Sequence, residues 1–162
     1  MFPRTSMSQL LDAIAGVPNA AEPLPGLLTG GQPQAAHLAK LKQAGCEVVL
    51  DIRDPMEPRP IRVPEDVRAA GLDYINIPVG HSRGRDETLD RIREVLRGAA
   101  GKRKLLFHCA SGNRSAAVLI PYLMLDQNFT EEDAVATAMR LGMRSAELME
   151  WALDYVQKKN KN

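Results

Sequence analysis

The segment His108-Cys109-Ala110-Ser111-Gly112-Asn113-Arg114-Ser115 gathers a thiol, a guanidinium, an imidazole and two hydroxyls around one glycine. Its surroundings read as strand, glycine loop, then helix. A cysteine at a strand tip, just ahead of a helix N-terminus, faces the positive end of the helix dipole, which stabilises its thiolate. Gly112 permits φ > 0, so successive N–H groups from Ala110 to Asn113 can turn inward as an anion nest. Arg114 adds a planar fork that grips two oxygens of an oxyanion. The Ser115 hydroxyl either caps the helix or donates to the thiolate. His108 is expected to orient the loop through a hydrogen bond rather than to move protons. The chemistry this pattern implies is attack by an ionised sulfur on a group held in an anion cradle.

That loop works only if flanking elements hold it. Ser6-Met7-Ser8-Gln9 fits a capping box ahead of a first helix near 6–16. Pro18, Pro23, Pro25 and Gly26 read as a turn-rich link. A short strand is expected at Leu27-Leu28-Thr29, and a helix from about Gln34 to Ala44, stopped by Gly45. Val48-Val49-Leu50 reads as a buried parallel strand. A loop rich in Pro and Arg follows, then a short helix over Glu65 to Ala70, a strand at Tyr74 to Ile77 and a polar loop from Pro78 to Arg85. Leu89, Ile92 and Leu96 mark a helix to about Gly98, and Lys104 to Phe107 the next strand. Helices are expected after Gly112, from a cap at Thr130, and near Ser145.

Strands alternating with helices predict an α/β fold with a central, mostly parallel sheet of four to five strands and helices on both faces. Such sheets bind ligands beyond the carboxyl ends of their strands. The loops after Leu50, Ile77 and Phe107 therefore converge. One domain is expected over 1–162, with a helix and linker in 1–26 and the core in 27–159.

The bulk properties agree with a globular domain. The chain has 162 residues, 44% hydrophobic and 25% charged, with a net charge of +1. This excludes a disordered chain, a coiled coil and a broad basic footprint for nucleic acid. From His81 to Lys104, eight basic residues face four acidic ones. That excess is either a solvated helix face or a positive rim that attracts an anionic substrate. Cys46 and Cys109 do not form a disulfide framework, and Cys46 reads as a small buried hydrophobe. No apolar run has the length of a membrane span, and Asp12 interrupts the first apolar patch. A reducing cytoplasm is the expected compartment, with neither membrane nor nucleic acid as partner. His37, His81 and His108 are dispersed, so no metal and no cofactor is expected.

The Cys109 loop resembles the active loop of the cysteine-dependent phosphatases of the dual-specificity type. The wider chain is similar to the bacterial branch called beta-lactamase-hydrolase-like phosphatases. The similarity runs from Leu27 to about Leu141, through Thr29-Gly30-Gly31-Gln32-Pro33, Val48-Val49-Leu50-Asp51-Ile52-Arg53 and Ala70-Gly71-Leu72-Asp73-Tyr74-Ile75-Asn76-Ile77-Pro78-Val79. The resemblance implies a cysteine-phosphatase-like fold and hydrolysis of a phosphorylated protein or a small phosphate ester. It implies Cys109 as nucleophile and the 110–115 loop with Arg114 as phosphate cradle. It also implies an aspartate acid on the loop after the Pro78 strand. Asp86 is the aspartate there, and it reads equally as a helix cap before Thr88 and Leu89. His81 and Asp54 are the other candidate acids. Arg53 reads as an ion-pair partner or a second anion contact, and Asp51 as a fixture of the strand-end loops.

One departure stands out. The usual phosphatase loop has five residues between Cys and Arg; here there are four, Ala110 to Asn113. That spacing is similar to the Cys-x-x-Gly-x-Arg loop of many single-domain rhodaneses, which carry a persulfide. Leu50 to Pro55 also resembles a rhodanese segment, although the Gly-His-Ile-Pro-Gly-Ala stretch that normally follows is missing. A sulfurtransferase is therefore the alternative, and a non-catalytic phosphate-binding module the third.

Overall fold

Apolar residues of the central strands alternate between two layers, and this alternation sets the architecture. In the computed structural model the backbone is described for residues 6–161 and the side chains for 9–161. The elements are α1 (Ser6–Asp12), β1 (Ala21–Leu24), β2 (Leu27–Gly30), α2 (Ala35–Gln43), β3 (Cys46–Asp51), α3 (Glu65–Ala69), β4 (Asp73–Asn76), α4 (Asp86–Ala99), β5 (Lys104–His108), α5 (Asn113–Leu125), α6 (Glu131–Leu141) and α7 (Ala146–Asn160). Val48, Leu50, Leu105 and Phe107 pack with α4 to α7 on one face of the sheet. Val49, Leu106 and Leu28 pack on the other face with Leu10, Leu38, Leu41 and Val67 of α1 to α3. Successive strand side chains point to opposite faces, so a sheet covered twice needs unbroken apolar runs.

The sheet has the order β1-β2-β5-β3-β4. β2, β5, β3 and β4 are mutually parallel, and β1 joins β2 antiparallel at the edge. This is the expected α/β sheet with helices on both faces. The boundaries differ in two places. The first helix ends at Asp12 rather than near residue 16, because the following N–H groups of Ala13, Ile14 and Ala15 reach back only three residues. The segment taken as linker contains β1. Pro23 is tolerated there because an edge strand needs a ladder on one side only. The expected capping box at Ser6–Gln9 involves side chains of residues 6–8, which lie outside the described ones.

Candidate active site

Three strand-end loops meet where β5 stops. Asp51 of β3 pairs with His108 of β5, and the ladder continues past both strands. Ile52 N donates to His108 O (3.0 Å), and Val79 N donates to Ile52 O (2.8 Å). α5 then begins at Gly112, which adopts φ +101° as its N-cap. From Arg114 to Leu123 every residue of α5 is buried, so its N-terminus is fixed beneath the loop.

The loop backbone is held from outside. The carbonyls of Cys109, Ala110 and Ser111 are bound by His108 Nδ1 (3.0 Å), Gln32 N (2.9 Å) and Asn19 Nδ2 (2.7 Å), respectively. In a trans peptide the N–H lies opposite its C=O. Fixing three carbonyls outward therefore turns the N–H groups of Ala110, Ser111 and Gly112 toward the sulfur side. Gly112 N lies 3.1 Å from Cys109 Sγ. Among the described residues, the N–H groups of Ala110 and Ser111 donate to no protein atom. Gly31 belongs to the same device: a Cβ there would lie 2.4 Å from Ala110 O, so no other residue fits.

His108 is buried, and burial pushes its imidazole below the ordinary value. The ring is therefore neutral. Because Cys109 O can only accept, Nδ1 carries the proton. Its Nε2 stands 3.9 Å from Asp51 Oδ1, too far for a hydrogen bond. The Asp51 carboxylate instead accepts from Arg53 N (2.9 Å), Tyr74 OH (2.7 Å) and Arg59 Nε (3.3 Å), which ties the β3 and β4 ends together.

Arg114 is 2% exposed and carries a partner that sequence reasoning did not find. Its NH1 and NH2 donate to Glu57 Oε2 (2.8 Å) and Oε1 (2.9 Å), and NH1 also donates to Val79 O (3.0 Å). Three N–H groups are thereby spent. The Nε–H and one NH2 proton remain along the side edge of the guanidinium, which is the edge that binds two oxygens in parallel. Arg114 hydrogen bonding holds Glu57 down to about 2, so it stays ionised at neutral pH. Glu57 in turn raises Arg114, with Cys109 a further contributor. Arg53 shares Glu57 (3.3 Å) and also donates to Gln32 Oε1 and Pro58 O.

Ser115 Oγ sits 3.2 Å from Gly112 O and 3.6 Å from Cys109 Sγ. Its single proton can serve the loop carbonyl or the sulfur. Asn113 faces the other way, accepting from Arg144 N (2.6 Å) and Ser145 N (3.2 Å), which ties the loop to the α6–α7 turn.

The candidate acids are placed differently. Asp86 opens α4 in its first turn, and Arg85 occupies the N-cap position. The Asp86 carboxylate accepts from Trp151 Nε1 (3.2 Å) and Lys158 Nζ (2.9 Å), and Lys158 above all lowers its pKa. Asp54 accepts from Met56 N and shapes the turn that carries Glu57. His81 is exposed in the loop after β4. In the basic stretch, ion pairs with Asp154, Asp126, Glu47 and Asp73 occupy Arg83, Arg93, Arg97 and Arg103. Much of that excess is thus a solvated, paired face. Among the described residues no cluster of three His, Cys, Asp or Glu has metal-binding geometry. No described helix is long and apolar enough to cross a membrane.

Glu57, Gln32 and Asn19 were not singled out from the sequence. Glu57 sits in a loop legible only as Pro- and Arg-rich; its signal was a carboxylate four residues after Arg53, between Arg53 and Arg59. Gln32 holds the Ala110 carbonyl through its main-chain N–H, which no side-chain pattern reports.

No family model matches the chain. The chain is 32% identical over 124 residues to dual specificity protein phosphatase 26 of Rattus norvegicus, and equally to that of Mus musculus. The match covers 72% of this chain and 56% of the relative, so the chain spans about half the length of these curated relatives. Among solved structures, a DUF442 protein of Shewanella putrefaciens superposes with a TM-score of 0.78 at 22% identity, over 91% of this chain and 97% of that one. The P. aeruginosa protein TpbA in complex with pTyr superposes with a TM-score of 0.67 at 17% identity, over 96% and 87%. These two solved structures share the fold of this chain.

Proposed function

We propose that this chain, a relative of the dual-specificity phosphatases with a cysteine-phosphatase fold, hydrolyses phosphate monoesters through attack of Cys109 on phosphorus. The observation that supports this most is the Gly112 N–H 3.1 Å from the Cys109 sulfur, in a loop whose three preceding carbonyls are held outward and whose Arg114 is fixed by Glu57. As the S–P bond forms, the P–O bond to the leaving group breaks, and the leaving oxygen takes a proton. Water then attacks the phosphocysteine, the S–P bond breaks, and phosphate leaves with the thiolate restored. Loop N–H groups from Ala110 to Ser115 and the Arg114 edge match the charge on the equatorial oxygens. Neither step requires a metal or a cofactor.

Asp86 is the proposed leaving-group acid, on the strength of its place after β4. Its ion pair with Lys158 must open for it to hold a proton, which favours good leaving groups. The loop offers one fewer N–H than a five-residue spacing, so phosphate binds more weakly and activity is modest. The substrate class is a phosphorylated protein or a small phosphate ester, and phosphotyrosine is the ligand seen with TpbA. Two free thiols suit a reducing cytoplasm, and residues 27–159 carry the nucleophile, the cradle and the proposed acid within one domain.

The test is a side-by-side assay with an aryl phosphate and with thiosulfate plus cyanide. Phosphate release blocked by orthovanadate is the expected result, because vanadate mimics five-coordinate phosphorus. Thiocyanate formation without phosphate release would establish the sulfurtransferase instead. If neither product forms, the chain is a binding module.

A further inference from the structure

The peptide that supplies the Gly112 N–H is anchored by a residue from the segment before β1. Asn19 Nδ2 donates to Ser111 O at 2.7 Å, and Ser111 O belongs to the same peptide group as Gly112 N. The backbone of Asn19 is left-handed, with φ +54°. Asn is the residue that tolerates this conformation while also offering an amide donor. Two neighbouring glycines make room for it. A Cβ on Gly142, at the end of α6, would lie 2.7 Å from Asn19 Nδ2 and 2.9 Å from its Cγ. A Cβ on Gly112 would lie 3.1 Å from Asn19 Cβ. The amide is thus slotted between the end of α6 and the start of α5. The segment itself is tied down, since Gly31 N donates to Pro18 O (2.8 Å) and His37 Nε2 bonds Ala15 O (2.9 Å).

We propose that Asn19 is a positioning residue for the anion loop: its amide sets the Ser111–Gly112 peptide so that Gly112 N–H faces Cys109. This rests on the reading of Cys109 as nucleophile. Without the Asn19 bond the peptide is free to rotate, and the sulfur loses a donor while the nest loses an N–H. The two other outward carbonyls are held by His108 and a backbone N–H, so Asn19 is the side chain through which the N-terminal segment controls the loop.

Asn19→Gly keeps the left-handed backbone and removes the amide. Asn19→Asp keeps the size and replaces the donor by oxygens that repel Ser111 O. In the full chain, both variants should weaken orthovanadate binding about three- to tenfold or more, as loss of one neutral hydrogen bond allows, with Asp the worse. Both should slow iodoacetamide alkylation of Cys109 at neutral pH several-fold while leaving Cys46 unaffected. Wild-type vanadate affinity and alkylation rate in folded Asn19→Gly would overturn the proposal. So would an equal loss of Cys46 protection, which marks general loosening. If the wild type binds no vanadate, the phosphatase reading fails, and the alkylation rates still decide whether Asn19 positions the loop.

Discussion

Cys46 opens β3 and Cys109 follows the end of the neighbouring β5; they are 0% and 1% exposed, yet their surroundings oppose each other. Cys46 Sγ faces the Val48 carbonyl at 3.5 Å, an acceptor, so the sulfur must keep its proton. Burial pushes its thiol up to about 11. Cys109 Sγ faces the Gly112 N–H at 3.1 Å and the Ser115 hydroxyl at 3.6 Å, both able to donate. Equal burial thus comes with opposite polar neighbours. What differs is which polar groups face the sulfur, and that follows from which end of the parallel sheet the cysteine occupies.

The comparison breaks most sharply on substitution. Cys109→Ser should remove aryl phosphate hydrolysis by more than about a thousandfold, since a hydroxyl is not ionised near neutral pH. Cys46→Ala should leave the rate unchanged and lower the melting temperature through a small cavity. Equal losses in the two variants, measured by steady-state kinetics and thermal unfolding, would erase the contrast.

Arg114→Lys retains the charge but not the side edge, so the rate should fall about tenfold to a thousandfold, the scale of a lost oxyanion donor. Full activity in that variant would mean that charge alone suffices. Asp86→Asn should slow alkyl phosphates about tenfold and aryl phosphates less, because poor leaving groups need the proton most. Equal ratios across a leaving-group series would reduce Asp86 to an anchor for Trp151 and Lys158.

The smallest effect concerns Glu57. Its folded pKa lies below the ordinary carboxylate value, so the stability it contributes is fully present above about pH 4.5 and is lost as pH falls toward about 2. Acid unfolding of wild type should be steeper across that window than that of Glu57→Gln. At neutral pH, Glu57→Gln should reduce kcat/KM several-fold through a less firmly held Arg114. Parallel acid-unfolding curves would separate Glu57 from the stability of the site.

The parallel sheet was legible because β3 and β5 read as apolar runs bounded by turn residues, and the Cys109 loop because strand, glycine and helix start occur in order. β1 was hidden by Pro23 and Pro25, which read as linker until an edge position explains one of them. The partners of the loop were hidden for a different reason. Asn19, Gln32 and Glu57 lie 92, 78 and 57 residues from Ser111, Ala110 and Arg114, the loop residues they bind, and local pattern says nothing about contacts closed by the sheet order. The spacing of Cys109 and Arg114 announced an anion cradle; which groups hold that cradle in shape required the fold.

The most direct test is to trap the covalent intermediate. The full chain would be mixed with an aryl phosphate and quenched in acid within its first turnovers. The peptides bearing Cys109 and Cys46 would then be weighed by mass spectrometry. A phosphoryl group on Cys109, absent from Cys46 and absent in Cys109→Ser, is the result this account predicts. A persulfide sulfur on Cys109 after thiosulfate, with no phosphoryl group after the ester, would contradict it.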